Sequence, residues 1–157
     1  MMSEDTYDAR ATSRLLAVQA LYQMDIARTP LDVVIREFGD HRVENPLDGT
    51  PMPEADMSYF EFILRSVVDY QTKIDRAIDG YLAQNWRLSR LDSTLRAILR
   101  CGVCELIGEP KAPNGVVVSQ YTDIAHAFFD SAEGGMVNAL LDRVSGAVAK
   151  GDITTGF

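Results

Sequence analysis

The sequence predicts an all-α fold of about seven helices, and three observations carry that expectation. Apolar residues recur at three-and-four spacing through almost every segment between turn signals. Proline and glycine fall between those segments, at Pro30, Pro110, Pro113 and Gly151 among others. The one strand-like run, the valines at 116–118, has no second strand to pair with and sits in a helical register.

The first helix is predicted over residues 9–27, after a polar, acidic arm at 1–8 that reads as disordered. Leu15, Val18 and Tyr22 repeat along one face, and Ala17, Leu21 and Met24 widen the stripe. Arg10, Arg14, Gln19 and Gln23 are thereby left for solvent or a partner. Pro30 resets the chain, and Leu31, Val34, Ile35 and Phe38 predict a short second helix. A surface loop follows at 39–55, carrying Pro46, Pro51, Pro53 and the turn pair Asp48 and Gly49.

Ser58 and Glu61 have capping-box spacing and introduce Phe60, Phe62, Ile63, Leu64, Val67 and Val68, a third helix. Ile74, Ile78, Tyr81 and Leu82 continue it or, with a bend near Tyr70, form a fourth. Ser89 and Asp92 repeat the capping-box spacing ahead of Leu91, Leu95, Ile98, Leu99, Gly102 and Leu106. These six lie within an arc of about 100°, so this fifth helix is expected at the centre of the core. Val117, Tyr121, Ile124, Ala125 and Phe128 make the sixth. The seventh follows Gly134 and Gly135, buries Val137, Leu140, Leu141, Val144 and Val148, and stops at Gly151, leaving 151–157 as a frayed tail. Residues 9–150 form a single domain on this reading.

A chain of 157 residues, 46% hydrophobic, is long enough to bury an ordinary core. It contains neither the apolar core of a signal peptide nor the roughly 20-residue run of a membrane span, which points to a cytoplasmic protein. The net charge of −8 argues against non-specific adhesion to nucleic acid. The excess is uneven. Residues 1–61 carry twelve acids and five bases, whereas 62–157 carry eleven and ten, so basic patches are compatible with the later part.

Cys101 and Cys104 form a Cys-x-x-Cys, but helical pattern precedes them where a redox pair wants a strand and a helix N-terminus. Zinc would need two further ligands, and His41 and His126 stand at no motif spacing. The best carboxylate pair, Asp75 and Asp79, shares a helix face as solvated edges commonly do. No metal, cofactor or catalytic activity is expected.

Three blocks resemble the NusB family of bacterial transcription antitermination factors, over roughly residues 10–29 and 56–149. The first is Arg14-Leu-Leu-Ala-Val-Gln-Ala-Leu-Tyr-Gln23, similar to the family's arginine-led Ala-x-Gln-Ala-Leu-Tyr helix. The second is Leu91-Asp92 with Arg96-Ala-Ile-Leu-Arg-Cys-Gly-Val-Cys-Glu-Leu106, where Cys104 replaces a usual Tyr. The third is Met136-Val-Asn-Ala-Leu-Leu-Asp-Arg143, similar to a Phe-Val-Asn-Gly-Val-Leu-Asp-Lys ending.

The resemblance implies two packed helical subdomains and a non-enzymatic function. Such proteins bind boxA RNA of nascent ribosomal RNA transcripts with NusE, a small-subunit ribosomal protein. With other Nus factors they act on RNA polymerase. Single-stranded RNA wants cations for phosphates and flat or polarisable groups for bases. The RNA-binding candidates are therefore Arg10, Arg14, Gln19, Tyr22, Met136 and Asn138, with Tyr22 also placed to belong to the core. The candidate NusE face is Tyr81, Arg87, Arg96 and Arg100, although Arg96 has Asp92 available at i,i+4.

The chain departs from the family pattern at four places. Ala11, Thr12 and Ser13 stand where arginines commonly cluster, and Gly135 and Met136 replace a Lys-Phe pair. Leu95 takes an expected acidic position, and the 39–55 loop looks like a lineage-specific insertion. With so few phosphate contacts, RNA affinity of the isolated chain is expected to be weak. The alternative is a NusB-like module that binds only a protein partner, and a homodimer closing the face of the first helix is a third arrangement the sequence leaves open.

Overall fold

In a computed structural model that describes residues 4–39 and 43–157, the chain folds into seven α-helices and a short 3-10 turn. Helix α1 spans Glu4–Ala27, α2 Leu31–Phe38, α3 Met57–Asp69, α4 Gln71–Tyr81, α5 Ser93–Ile107, α6 Asn114–Phe128 and α7 Ser131–Lys150. The valines at 116–118 are helical, as their register predicts.

Helix α1 begins five residues before the predicted start, so residues 4–8 are helix and not a disordered arm. Two of its polar residues are tied down: the Thr12 hydroxyl donates to the Asp8 carbonyl, and Ser13 donates to the Ala9 carbonyl one turn back and to the Asp56 carbonyl just before α3. Arg28 adopts a left-handed φ of 55° just past the end, ahead of Pro30.

The capping expectations need correction. The N-cap of α3 is Asp56, whose carboxylate accepts from the Tyr59 N–H, while Ser58 lies inside the first turn. Asp92, predicted as the third residue of a box begun by Ser89, is itself the N-cap of α5 and accepts from the Thr94 N–H. Ser89 belongs to the 3-10 turn Leu88–Arg90. A carboxylate one residue before the helix satisfies the same open donors as the predicted serines would, so spacing alone did not separate the two registers.

Tyr70, at φ −120° and ψ 24°, breaks α3 from α4. The loop at 39–55 is exposed over most of its described length, with Asn45 and Asp48 carboxamide and carboxylate oxygens accepting from the Leu47 and Thr50 N–H groups. Val43 is buried and anchors it. Residues 40–42, including His41, lie outside the described part.

Helix α5 is the axis of the molecule. It packs against α1, α3, α4, α6 and α7, with α1, α2 and α3 together in one group and α4, α6 and α7 in the other. Every residue from Ala97 to Ile107 except Arg100 is buried. Cys101 and Cys104 are free thiols in this core. Burial pushes Cys104 up to about 12 and raises Cys101 as well, which leaves both poor nucleophiles. Among the described residues no helix is long and apolar enough to cross a membrane.

Two features at the C-terminal end differ from expectation. Gly134 and Gly135 lie within α7, whose C-cap is Gly151 at φ 81°. Gly134 lets the His126 ring approach, since a Cβ there would come within 2.3 Å of it. The segment 151–157 is docked, not frayed. The Gly156 N–H donates to the Ile107 carbonyl at 2.9 Å, the Lys73 ammonium donates to the Gly156 carbonyl at 2.8 Å, and Phe157 stacks on Tyr70 with centroids 4.1 Å apart. A Cβ on Gly108 would meet the Phe157 ring at 2.6 Å and the Cys104 carbonyl at 2.7 Å. Because one of those atoms is backbone, Gly108→Ala should cost about 1–3 kcal/mol, read as a lower denaturation midpoint at unchanged denaturant slope.

Candidate nucleic-acid and partner surfaces

The N-terminal arginines divide on inspection of their surroundings. Arg14 is 1% exposed and lies against Glu105 of α5. Its Nε donates to Glu105 Oε2 at 2.9 Å and its Nη2 to Oε1 at 3.1 Å, a two-pronged pair, and Nη2 also donates to the Tyr59 hydroxyl at 3.1 Å. The Tyr59 hydroxyl donates to Glu105 Oε1, and the Tyr121 hydroxyl donates to Oε2 at 2.5 Å. The carboxylate thus receives bonds from three residues on α1, α3 and α6.

Burial alone would pull the Arg14 guanidinium down, but the bonded Glu105 carboxylate outweighs it and holds it above its ordinary value. Burial, reinforced by the negative charge of Glu105, raises both Tyr59 and Tyr121. Arg14, Tyr59 and Tyr121 therefore stay protonated across the physiological range.

Arg14 therefore does not face solvent, contrary to the sequence expectation, and in this conformation it cannot reach a phosphate. The reason is geometric. Position 14 shares its helix face with Val18 and Leu21 at the i+4 and i+7 positions, so it belongs to the buried stripe. That spacing, with Glu105 as a lone acid in an otherwise apolar stretch of α5, was the available signal.

Met136 is also buried, at 7% exposure, because it faces the core from the first turns of α7. The remaining candidates stay near the surface. Arg10 is half-buried, with Nη1 donating to the Lys111 carbonyl at 2.8 Å and its guanidinium 4.4 Å from the Tyr59 ring centroid. Gln19 and Tyr22 line a shallow hollow between α1 and α2 with Gln23, Ile26, Glu37 and Phe38. Tyr22 is 41% exposed, so it is not a core residue. Asn138 is exposed on α7 and accepts from the Thr122 hydroxyl at 3.5 Å.

Three of the four partner-face residues come together. Arg87, Arg96 and Arg100 line an open cleft of about 1050 Å³ between the end of α1, α4 and the start of α5, with Asp25, Asp75, Asp79 and Trp86. Arg96 donates to Asp25 at 2.9 Å and to Ser93 at 3.1 Å in place of the predicted Asp92. Asp92 caps the helix, which takes its carboxylate away from Arg96. Arg100 grips Asp75 with two bonds, at 2.9 and 3.1 Å, so that carboxylate is not a free solvated edge. Tyr81 lies outside this lining, half-buried, its carbonyl accepting from Arg143 at 3.2 Å. Leu95, at the position of an expected acid, is buried. No group of three metal-ligating side chains occurs among the described residues.

A model of the NusB family matches residues 11–146. The chain belongs to the NusB family. It is 44% identical, over 92% of its own length and 97% of the relative's, to a protein of Caulobacter vibrioides named transcription antitermination protein NusB. A Rhizobium rhizogenes protein of the same name is 48% identical over 89% of this chain and 88% of its own. Among solved structures, T. maritima NusB superposes with a TM-score of 0.71 at 23% identity, covering 93% of both chains. A crystal structure of the antitermination factors NusB and NusE with double-stranded RNA gives 0.67 at 23% identity, covering 87% of this chain and 96% of that one. The likeness in fold extends over 93% of this chain, in which α5 carries Glu105, Arg96 and Arg100 and Arg87 precedes it.

Proposed function

We propose that this chain is a cytoplasmic transcription antitermination factor that binds boxA-type single-stranded RNA of nascent ribosomal RNA transcripts together with NusE, and acts with other Nus factors on RNA polymerase. It catalyses no reaction. The observation that carries the reading is family membership, through relatives named transcription antitermination protein that match over at least 88% of their own length. The solved NusB and NusE complex with double-stranded RNA lends support at the level of the fold. On this reading Arg10, Gln19, Tyr22 and Asn138 form the RNA side, and the cleft holding Arg87, Arg96 and Arg100, with Tyr81 at its margin, receives NusE.

A second reading, partner protein without specific RNA, is favoured by one observation. Of the two arginines expected on the RNA side, Arg14 is buried against Glu105, and Met136, expected beside the bases, is buried as well, so this edge offers RNA fewer contacts than the sequence suggests. Each lost phosphate contact removes about 0.7 from the log–log salt slope on a single strand, so the chain alone should bind weakly. Fluorescence anisotropy of labelled boxA RNA, titrated with the chain, with NusE and with both, separates the two. The expected result is weak binding by the chain and markedly tighter binding by the pair. Binding by the pair no tighter than by NusE alone would give the protein-only reading. Sedimentation of the chain without NusE reports whether a homodimer covers the exposed Tyr22 and Ile26 face.

A further inference from the structure

We propose that Lys111, in the connection between α5 and α6, is a phosphate contact of the RNA edge, held in position by Arg10, Tyr59 and Phe62. The inference rests on the RNA reading above and deepens it.

The burial of Arg14 removes one of the two cations that the N-terminal half of α1 brings to this edge. Lys111 supplies a replacement from a segment 101 residues away. Arg10 donates to its backbone carbonyl at 2.8 Å while lying over the Tyr59 ring, so the connection is pinned to α1 and α3 at the point where Lys111 emerges. The Lys111 ammonium lies 4.8 Å from the centroid of Phe62, whose ring is tilted 50° to that of Tyr59 at 6.0 Å. Two rings and an arginine therefore build a platform that carries this ammonium.

An ammonium over an aromatic face gains a modest attraction and still has donors for an acceptor on its open side. Its ion pair with Glu109 is long at 3.8 Å, and the Glu109 side chain is 73% exposed. Such a pair contributes little, so Glu109 holds the ammonium only weakly against an incoming phosphate oxygen. A lysine acts on phosphate as a point charge and reads no base. Lys111 should accordingly contribute affinity and salt dependence without sequence preference.

The test is anisotropy of boxA RNA with the chain and NusE at salt concentrations from 50 to 200 mM, comparing wild type, Lys111→Ala, Lys111→Arg and Lys150→Ala. Lys150 is exposed in the last turn of α7 and serves as a charge-matched control. Lys111→Ala should flatten the log–log slope by about 0.7, so that its affinity falls roughly 2- to 3-fold less than wild type across that range. Its affinity at 50 mM should drop several-fold, for boxA and for a scrambled RNA in the same proportion. Lys111→Arg should keep the slope, and Lys150→Ala should match wild type. Equal slopes for Lys111→Ala and wild type, with wild-type binding intact, overturn the role of Lys111 alone. Absence of wild-type RNA binding in the presence of NusE overturns both this inference and the RNA reading. Circular dichroism melts check that each variant is folded.

Discussion

Arg14→Ala is expected to cost about 3–5 kcal/mol of folding stability, because it leaves the Glu105 carboxylate charged in the core with only two tyrosine hydroxyls for company. That is a large part of the 5–15 kcal/mol by which domains of ordinary size are stable, so the variant should unfold at a much lower denaturant concentration. A surface arginine would behave otherwise, with a change within about 0.5 kcal/mol. A midpoint indistinguishable from wild type would therefore contradict the burial of this side chain. Arg14→Lys keeps the charge but loses the two-pronged grip on Glu105, and should fall between the two. The double variant Arg14→Met with Glu105→Gln removes both charges and still offers the tyrosines an amide oxygen. Its loss should be smaller than the sum of the single losses, since neither charge is then stranded. Any weakening of RNA binding in Arg14→Ala must be read against this loss of folded protein before it is assigned to a lost phosphate contact.

The helical periodicity carried the seven elements because it records burial directly, and α5 was legible as the axis because its six apolar positions keep to one arc of about 100°; that its burial extends around most of the helix from Ala97 to Ile107 follows from the fold. The docking of Phe157 on Tyr70 was not legible, because neither residue belongs to a periodic stripe and nothing local relates positions 87 residues apart. The candidate site was legible in part. Exposure was inferred from polarity, which holds in part for Gln19, half-buried, and fails for Arg14, whose charge is matched by an acid on another helix. Lys111 escaped notice for the opposite reason. It is a single cation in a turn, and only the fold carries it to the side of Arg10.

Phe60→Ala should produce the other large effect, about 3–5 kcal/mol. Phe60 is fully buried on α3 and stacks with Phe38 of α2, ring centroids 5.9 Å apart at 26°. Helix α2 is only eight residues long, and Val34 and Phe38 are its buried anchors, so it has little stability apart from this packing. Truncation of Phe60 leaves a ring-sized void that rigid neighbours fill only in part, and the Phe38 side chain loses this aromatic contact. Global stability should fall, and the amides of α2 should exchange with solvent well before those of α5, an opening smaller than full unfolding. Val68→Ala is the matched control on the same helix, since Val68 is 40% exposed and should cost well under 1 kcal/mol. Glu37 and Phe38 form one wall of the hollow that holds Gln19 and Tyr22. Loosening α2 should therefore alter that hollow while leaving the cleft at Arg96 and Arg100 intact. If NusE uses the cleft, Phe60→Ala under conditions where the chain remains folded should retain NusE binding, and any loss confined to RNA would locate the RNA side on α1 and α2.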